Sequence, residues 1–390
     1  MQRDSLLFWL SYFILVVFYL SKPMTVSWDP AEYLAYGKFL FSGYGFDAYY
    51  RPILWPLILG FLWKIGLPMP ATMKFFASIL YLSIPLIPYF SLKGTKRFMG
   101  ILIASHPIVF RWSHYPLSHI LALFFLILAY STKDYISGIF SALSGLSRFP
   151  FLVYPVFHVI GSKKRFIGAV SAFLVYFFVI SILYKDPLAQ IKKALEVIGW
   201  SKYYSLWPKD PTFYIRTILA TSPLLFLGLF TLSKFSFPSL ISILFYSFFV
   251  ARKEDRFAID FIPFLSISLE KYRKILMITL ILNLVQLPFI KVYPEDFHYF
   301  LLIEDNSKVL GMHPGVNAYR DVYFIPWFDY FQEFNFSEAD YCIFFKRAIP
   351  CPDSFCVERV KQFYSNCSVW EIVYNQSDEI VIGKVIPRLS

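Results

Sequence analysis

Long apolar runs separated by short polar clusters make up the first three quarters of the chain. They recur from residue 6 to about residue 290, and most are long enough, or nearly so, to cross a hydrocarbon core of ~30 Å. Few of them carry the polar face that a helix of a water-soluble protein needs. The pattern therefore predicts a polytopic α-helical membrane protein.

Basic clusters between the runs set an alternating orientation with about eleven crossings. The predicted spans are 5–22, 71–90, 98–110, 117–131, two short helices within 135–160, 166–184, 214–232, 237–250, 257–269 and 275–290. The short segment 52–66 contains Pro52 and Pro56 and fits either a full span or a tilted outer helix. The basic cluster after span 71–90 favours the outer helix. Residues 21–24 offer no clear cleavage site, so we expect the first run to be retained.

Two outer segments are predicted to contain helices that do not cross. In 23–70, residues 30–42 are expected to form a helix on the outer surface, with Tyr33, Leu34, Gly37 and Phe41 on a lipid-facing side. In 185–213, apolar residues recur at three and four positions from Leu188, with charged residues opposite. That spacing predicts an amphipathic helix in the headgroup layer.

The last hundred residues have a different pattern. Short β-rich runs at 309–312, 322–326, 341–346 and 369–385 alternate with turns and helical stretches, which predicts a small α/β domain over 291–390. All four cysteines, Cys342, Cys351, Cys356 and Cys367, lie there. Disulfides, and hence an extracytoplasmic domain, are predicted. Of the three possible pairings we favour Cys351 with Cys356 and Cys342 with Cys367.

Composition supports this division and restricts the function. The chain has 390 residues, of which 57% are hydrophobic and 21% aromatic, with a net charge of +11. Most of the Lys and Arg residues fall in clusters between apolar runs, as the positive-inside bias requires, so the charge does not imply nucleic acid. No Gly-rich phosphate loop, zinc-ligand spacing or Ser-His-Asp arrangement rises above chance.

Charged side chains gather in segments predicted to lie at the outer membrane edge. They are Asp29, Glu32, Arg51, His114, Arg148 and the run Arg252-Lys253-Glu254-Asp255-Arg256. A charge costs about 2.5–3.5 kcal/mol at the centre of a spanning helix and less near its edge, so this number suggests a shared polar cavity. Each group also has a simpler interpretation. Asp29 could cap a helix beginning at Pro30, Arg148 could snorkel, His114 could be a loop residue, and 252–256 could be a solvated turn.

One or two carboxylates among several cations suit the transfer of a sugar from a polyprenyl phosphate. The leaving phosphate is a weak base, so cations stabilise it without a general acid. The acceptor hydroxyl does need a general base. One carboxylate with cations therefore suffices, unlike the paired carboxylates of glycoside hydrolysis.

The same segments resemble the GT-C superfamily of integral-membrane glycosyltransferases. The acidic segment Trp28-Asp29-Pro30-Ala31-Glu32-Tyr33 precedes Gly43-Tyr44-Gly45 and then Arg51-Pro52 with its short apolar helix. The run 252–257, followed by Ile262-Pro263-Phe264, resembles the HKEERF-type motif of mannosyltransferases that use dolichyl-phosphate-mannose. Arg252 stands where that motif has His, and Trp28 where a His-Pro pair precedes the acid. The Arg148 hairpin matches a helix pair in which many members carry Arg-Pro.

The resemblance covers about residues 1–290 and implies roles for individual residues. Asp29 is the expected general base, and Glu32 is a second acid that orients the acceptor. The expected ligands of the donor phosphate are Arg51, Arg148, Arg252 and Arg256. The other expected substrate-binding residues are His114, Lys253, Glu254 and Asp255, of which the two acids hold the arginines or the sugar hydroxyls.

The sequence thus predicts an inverting glycosyltransferase, GT-C-like over 1–290, that moves a sugar, with mannose favoured, from a polyprenyl- or dolichyl-phosphate donor to a membrane acceptor. We expect no metal, although Asp29 with Glu32 could in principle hold a divalent ion. The predicted location is an archaeal or bacterial plasma membrane. A transporter or flippase of a lipid-linked or anionic solute is the alternative, and a non-catalytic scaffold is a third. No internal repeat of the kind that transporters often contain is visible.

Overall fold

The structure is a computed structural model, and it is mostly helical with a small sheet near the C-terminal end. It describes residues 2–200, 210–231, 233, 235–250, 253–294, 297–326, 339–345, 354–368, 370–376 and 379–385. The longer helices of the first two hundred residues are α1 (Gln2–Leu20), α2 (Trp28–Ser42), α3 (Leu54–Lys64), α4 (Ala71–Ser91), α5 (Met99–Ala104), α6 (Pro107–Ser113), α7 (Ser118–Ser131), α8 (Asp134–Ser147), α9 (Val153–Val159), α10 (Lys163–Tyr184) and α11 (Ala189–Trp200).

The remaining helices and the strands follow in order. The helices are α12 (Phe213–Thr221), α13 (Ser236–Phe248), α14 (Ile262–Ser268), α15 (Arg273–Gln286), α16 (Val316–Tyr319) and α17 (Ser354–Ser368). The strands are β1 (Lys308–Gly311), β2 (Tyr323–Pro326), β3 (Tyr341–Phe345), β4 (Glu371–Gln376) and β5 (Ile380–Lys384). The predicted α/β character of the C-terminal segment is therefore confirmed.

The chain divides into two compact units. The helical unit contains the described residues of 2–25 and 74–294, and the sheet unit contains those of 26–73 and 297–385. The outer segment 26–73 thus belongs with the C-terminal sheet. Nothing in the hydrophobic pattern indicated this grouping, because the two parts are more than 200 residues apart in sequence.

Few helices are long and apolar enough to cross a membrane by themselves. In the described part of the chain Ala71–Ser91 and Lys163–Tyr184 meet both criteria, and Phe213–Thr221 with Pro223–Thr231 forms a third candidate that is bent by 118°. Other apolar helices, such as Ser118–Ser131 and Ser236–Phe248, have only 10–17 residues. The predicted count of about eleven spans is therefore not reproduced.

Breaks inside the predicted spans explain the difference. Span 98–110 contains two short helices, because the His106 side chain accepts a hydrogen bond from Ile108 N and caps α6, with Pro107 at its first position. Span 257–269 is divided in the same way between a 3₁₀ turn at Asp255–Asp260 and helix α14. Apolar composition does not show where such breaks fall. The predicted pair of short helices in 135–160 is confirmed, as is the helix predicted after Leu188.

Polar side chains of α15 satisfy the backbone at the sharp bend between α12 and the following 3₁₀ segment. Ser222 Oγ donates to Asn283 Oδ1 at 3.0 Å, and Gln286 Nε2 donates to the Thr221 carbonyl at 2.9 Å. Asn283 is fully buried. A helix that breaks in a buried place needs such partners, since a buried backbone group without a hydrogen bond costs free energy.

The sheet unit contains a closely packed pair of helices, α2 and α3. A Cβ at Gly37 would lie 2.4 Å from the Pro56 carbonyl oxygen and 2.7 Å from Gly60 N, so the two backbones approach directly through these glycines. Residues 30–38 of α2 are buried. The prediction of a lipid-facing side is therefore wrong for Tyr33, Leu34 and Gly37, which protein covers, while Phe41 is half-buried. Helix α3 has 11 residues and is about 16 Å long, too short to cross a bilayer.

A buried lysine joins α2 to the chain that follows α16. Lys38 Nζ donates to the carbonyls of Asn317 at 2.8 Å and Arg320 at 2.9 Å, and lies 2.6 Å from an Asp321 carboxylate oxygen. Burial lowers the Lys38 pKa, and the Asp321 carboxylate opposes that effect. The carbonyls that end a short helix thus receive a cation, which is the favoured arrangement.

The five-stranded sheet has the order β2-β1-β3-β5-β4. Strands β2, β1 and β3 are parallel neighbours, while β5 pairs antiparallel with both β3 and β4. Gly45 bridges Tyr323 and so adds the outer segment to the β2 edge. A Cβ at Gly45 would lie 2.2 Å from the Ala35 carbonyl oxygen, which explains why glycine is needed in that close approach.

Cys342 and Cys367 form a disulfide that joins β3 to α17, which confirms that predicted pair. Both lie in the core between the sheet and the helix, with Leu310, Phe344 and Phe363. Of the other predicted pair, Cys351 and the side chain of Cys356 lie outside the described part of the chain.

Replacing Gly37 tests the close packing of α2 on α3. Gly37→Ala is expected to lower the free energy of unfolding by about 1–3 kcal/mol, because the added methyl group meets backbone atoms that cannot move aside. Tryptophan fluorescence during denaturant unfolding in mild detergent measures the effect. Gly43→Asn is the control, because Gly43 ends α2 in a left-handed conformation with open space around it and Asn tolerates that conformation. Equal losses in the two variants would contradict the packing argument.

Candidate functional site

The carboxylates of α2 lie in its first turns. The helix begins at Trp28 after Ser27, and the Ser27 side chain makes no capping hydrogen bond. Asp29 is therefore the second helical residue, and the interpretation that it caps a helix beginning at Pro30 is wrong. A carboxylate in the first turn still benefits from the positive end of the helix dipole. Because Asp29 and Glu32 are three residues apart, they project from the same face.

Arg51 joins the two carboxylates. Its Nη2 donates to Asp29 Oδ1 at 2.7 Å and to Glu32 Oε2 at 2.5 Å. The guanidinium carbon lies 5.2 Å from the centre of the Tyr33 ring and 5.4 Å from that of Tyr50, so aromatic faces hold the cation on α2. The structure thus brings together three residues that the sequence singled out, across a separation of 22 positions.

Exposure distinguishes the roles of the two acids. The Asp29 side chain is 14% exposed, whereas that of Glu32 is only 1% exposed. A ligand can reach Asp29, while Glu32 serves to hold the guanidinium. Burial lowers the pKa of Arg51, but the charges of Asp29 and Glu32 outweigh it and raise that pKa overall. The cation is therefore permanent, and it occupies the position that a metal shared by the two carboxylates would need.

A second group of charges lies in the helical unit, between α6 and the segment after α13. Arg111 Nη1 donates to Asp255 Oδ2 and Trp112 Nε1 donates to Asp255 Oδ1, both at 3.1 Å. Arg256 forms an ion pair with Glu254. The predicted run 252–256 is therefore no freely solvated turn, since its acids are paired with arginines.

Arg148 belongs to the same region and has a fully buried partner. Its Nε donates to Asp260 Oδ1 at 2.5 Å and its Nη2 to Asp260 Oδ2 at 2.9 Å, which is the bidentate geometry that arginine favours with carboxylates. The Tyr246 hydroxyl also donates to Asp260. Arg148 thus lies near the break between α8 and α9 as a paired residue and not as a snorkelling one.

Aromatic rings alternate with the three arginines of this group. The ring of Trp112 lies 5.5 Å from the guanidinium carbon of Arg111 and 5.8 Å from that of Arg256. The ring of Phe257 lies 5.3 Å from that of Arg256 and 5.9 Å from that of Arg148. We call Arg111, Trp112, Arg256, Phe257 and Arg148 the arginine–aromatic array. Such an array holds several cations in fixed positions, and each of them is also paired with a carboxylate.

Two predicted binding residues make structural contacts instead. Lys253 Nζ donates to the carbonyls of Tyr246, Ser247 and Val250 and so caps the end of α13. His114 is fully buried, with Nδ1 2.8 Å from the Phe110 carbonyl oxygen and Nε2 3.2 Å from that of Tyr19. Neither geometry gives these side chains a ligand-binding role. Arg252 lies outside the described residues.

Open clefts in the helical unit carry additional cations. A cleft of about 460 Å³ is lined by Lys22, Lys291 and the apolar chain between Pro288 and Tyr293. A neighbouring cleft of about 250 Å³ shares Lys291 and Tyr293 and is also lined by Arg111 and Asp255. The clefts combine cationic and apolar walls, as the binding of an amphipathic anion requires.

Sequence reasoning missed Asp260, and a signal for it was available. Asp260 lies in the run Phe257-Ala258-Ile259-Asp260-Phe261, inside a predicted span. A carboxylate in an apolar helix costs free energy unless a cation pairs with it. Asp260 therefore indicated, from the sequence alone, a buried ion pair with an unidentified cation. In the described residues no group of three or more His, Cys, Asp and Glu side chains has the arrangement of a metal site.

The Arg148–Asp260 pair can be tested by a double-mutant cycle. Arg148→Met and Asp260→Leu are each expected to lower the free energy of unfolding by about 3–5 kcal/mol, because either leaves a buried charge without its partner. The double variant should lose much less than the sum. Lys192→Met is the control, since Lys192 pairs with Asp186 in an exposed position and its loss should be at most about 1 kcal/mol. Additive losses of the buried pair, measured by urea unfolding in detergent, would show that the pair is not coupled.

Comparison with known proteins identifies no relative of this chain. No protein-family model matches the chain, and neither curated proteins nor solved structures match it significantly. The function of these sites is therefore argued from their own chemistry.

Proposed function

We propose that the chain is an integral-membrane glycosyltransferase that moves a sugar, with mannose favoured, from a polyprenyl-phosphate donor to a hydroxyl of a membrane acceptor. The observation that carries the proposal is the Asp29–Arg51–Glu32 cluster, in which a reachable carboxylate is held beside a buried one by a single guanidinium. The resemblance of the surrounding segments to GT-C enzymes supports it.

The reaction assigned to this cluster is a single displacement. The Asp29 carboxylate removes the proton of the acceptor hydroxyl as its oxygen attacks the anomeric carbon of the donor. The bond between that carbon and the phosphate oxygen breaks, and the polyprenyl phosphate leaves with the electron pair. The configuration at the anomeric carbon is inverted. Glu32 keeps Arg51 in place, and Arg51 fixes the orientation of the Asp29 carboxylate.

The leaving phosphate needs cations and no proton donor. Arg51 and Arg148, expected from the sequence to bind it, are each paired with buried or partly buried carboxylates. Of the two, Arg51 lies directly beside the Asp29 carboxylate, so we assign the donor phosphate to Arg51.

The cellular location follows from two features. In the described residues two helices, or three with the bent pair, are long and apolar enough to cross a membrane, and a disulfide lies in the core of the sheet unit. Disulfides persist in oxidising compartments, so we place the sheet unit on the extracytoplasmic side of an archaeal or bacterial plasma membrane. The remaining crossings of the predicted eleven are part of this proposal.

Two features favour a transporter as the second candidate. The bend of 118° after α12 and the buried Arg148–Asp260 pair resemble the broken helices and intramembrane charges of transporters. In that case the clefts would bind the transported anion, and Asp29 would have no chemical role.

The deciding experiment is a transfer assay on the purified chain in nanodiscs. Radiolabelled polyprenyl-phosphate-mannose is supplied with a membrane lipid extract, and Asp29→Asn is compared with the unaltered chain. Loss of the general base is expected to lower the transfer rate by about 10²–10⁴-fold. Glu371→Gln is the control, because Glu371 is an exposed carboxylate on β4 and should retain full activity.

The other outcomes separate the two candidates. Equal transfer by Asp29→Asn and the unaltered chain would remove Asp29 from the mechanism. If no transfer occurs with mannose, glucose or phosphoribose donors, flux of a labelled polyprenyl phosphate across liposomes containing the chain becomes the relevant measurement. Flux that is insensitive to Asp29→Asn would favour the transporter.

A further inference from the structure

A buried histidine of the C-terminal sheet lies against the residue that precedes Asp29. His313 follows β1 by two positions, and β1 is the central one of three parallel strands. Ligands of open α/β sheets bind outside the carboxyl ends of such strands. The His313 ring centre is 4.8 Å from that of Trp28, in an edge-to-face arrangement.

The surroundings of His313 are aromatic. Its ring centre lies 4.7 Å from that of Phe345, 4.8 Å from Phe297 and 5.9 Å from Phe300. The residue is 3% exposed, and burial lowers its pKa to about 3. The imidazole is therefore neutral at any physiological pH, so it cannot serve as a cation for phosphate.

The hydrogen bond at one ring nitrogen of His313 determines which nitrogen carries the proton. The Gly315 amide donates to His313 Nδ1 at 2.9 Å, so Nδ1 is the acceptor and the proton of the neutral ring is on Nε2. Within the described residues no hydrogen bond uses Nε2. Nε2 is not among the fully buried polar atoms that lack a hydrogen-bond partner in the described residues, so its N–H is accessible and can donate to a ligand oxygen.

Gly315 is part of the same arrangement. A Cβ at position 315 would lie 2.7 Å from His313 Nδ1 and 2.5 Å from the Phe300 ring. The ring thus fits in its present position only beside a glycine. Its orientation depends on the turn after β1 and not on the ligand, as preorganised binding requires.

Helix α2 connects this histidine to the carboxylates. Trp28 is adjacent to Asp29 and one helical turn before Glu32, so the ring that touches His313 belongs to the first turn of the same helix. We propose that His313 and Trp28 bind the acceptor next to Asp29, with Nε2–H donating to a hydroxyl oxygen and the indole packing on an apolar sugar face. The proposal rests on the proposed function and narrows the acceptor to a carbohydrate, because a neutral donor among aromatic rings suits hydroxyls and not an anionic headgroup.

Binding is measured apart from catalysis, in the Asp29→Asn background. The probe is dodecyl α-mannoside added to the full chain in nanodiscs, and its affinity is followed by calorimetry. His313→Phe keeps the aromatic packing but removes the donor and is expected to weaken binding about tenfold. His313→Gln, whose amide N–H lies near the position of Nε2–H, should retain most of the affinity, whereas Gly315→Ala should weaken binding with the histidine still present.

Stability and a comparison at Trp28 serve as the controls for these binding measurements. The variants must keep the thermal midpoint of the parent chain, and Trp28→Phe should weaken binding less than Trp28→Leu. Unchanged affinity of His313→Phe, or equal losses in His313→Phe and His313→Gln, would overturn the proposal. So would tighter, His313-dependent binding of lysophosphatidic acid, which would assign the site to an anionic lipid.

Kinetics separate this inference from the proposed function. With Asp29 restored, His313→Phe should raise the KM for a mannoside acceptor more than it lowers kcat, because the hydrogen bond is present in both the bound and the transition state. Transfer that depends on Asp29 but not on His313 would overturn this inference alone. Mannoside binding that depends on His313, without any transfer, would overturn the proposed function and leave the binding site in place.

Discussion

The Arg51 guanidinium, held between Asp29 and Glu32, is the interaction on which the sheet unit's candidate site depends. Glu32 is almost completely buried, and a buried carboxylate is stable only with a cation and hydrogen bonds around it. Arg51 supplies both, and in doing so it fixes the turn before Pro52 against the start of α2. One ion-pair cluster therefore fixes the positions of the two carboxylates and the guanidinium, together with the start of α2 and the turn that precedes α3.

The arginine–aromatic array obeys the same constraint by different means. Each of its arginines has a carboxylate partner, and each also lies near the face of an aromatic ring. Rings contribute a weak attraction for the cation without adding charge, so several guanidinium groups can be held in one region. Each guanidinium is balanced by its own carboxylate, so the array is a network of ion pairs held in fixed positions.

Close packing explains why the outer segment and the C-terminal sheet form one unit. Lys38 donates to the chain after α16, and Gly45 bridges the edge strand β2. Both contacts hold the second half of α2 at the amino end of β2, while Trp28 at the start of the helix contacts His313 after β1. The site residues of α2 are consequently supported by residues far away in the sequence, among them His313.

Local patterns in the sequence were sufficient for the helical character and the α/β character of the last hundred residues, and they singled out Asp29, Glu32 and Arg51, which the structure joins by ion pairs. These follow from apolar periodicity, strand and turn composition, and the cost of charges among apolar runs, which neighbouring residues reveal. The tertiary structure alone decided that α2 is covered by protein, that Arg148 pairs with Asp260, and that Lys253 caps α13. Each of these depends on a partner from a different element, and the energy of a buried charge is determined by that partner and not by the residues beside it in the chain.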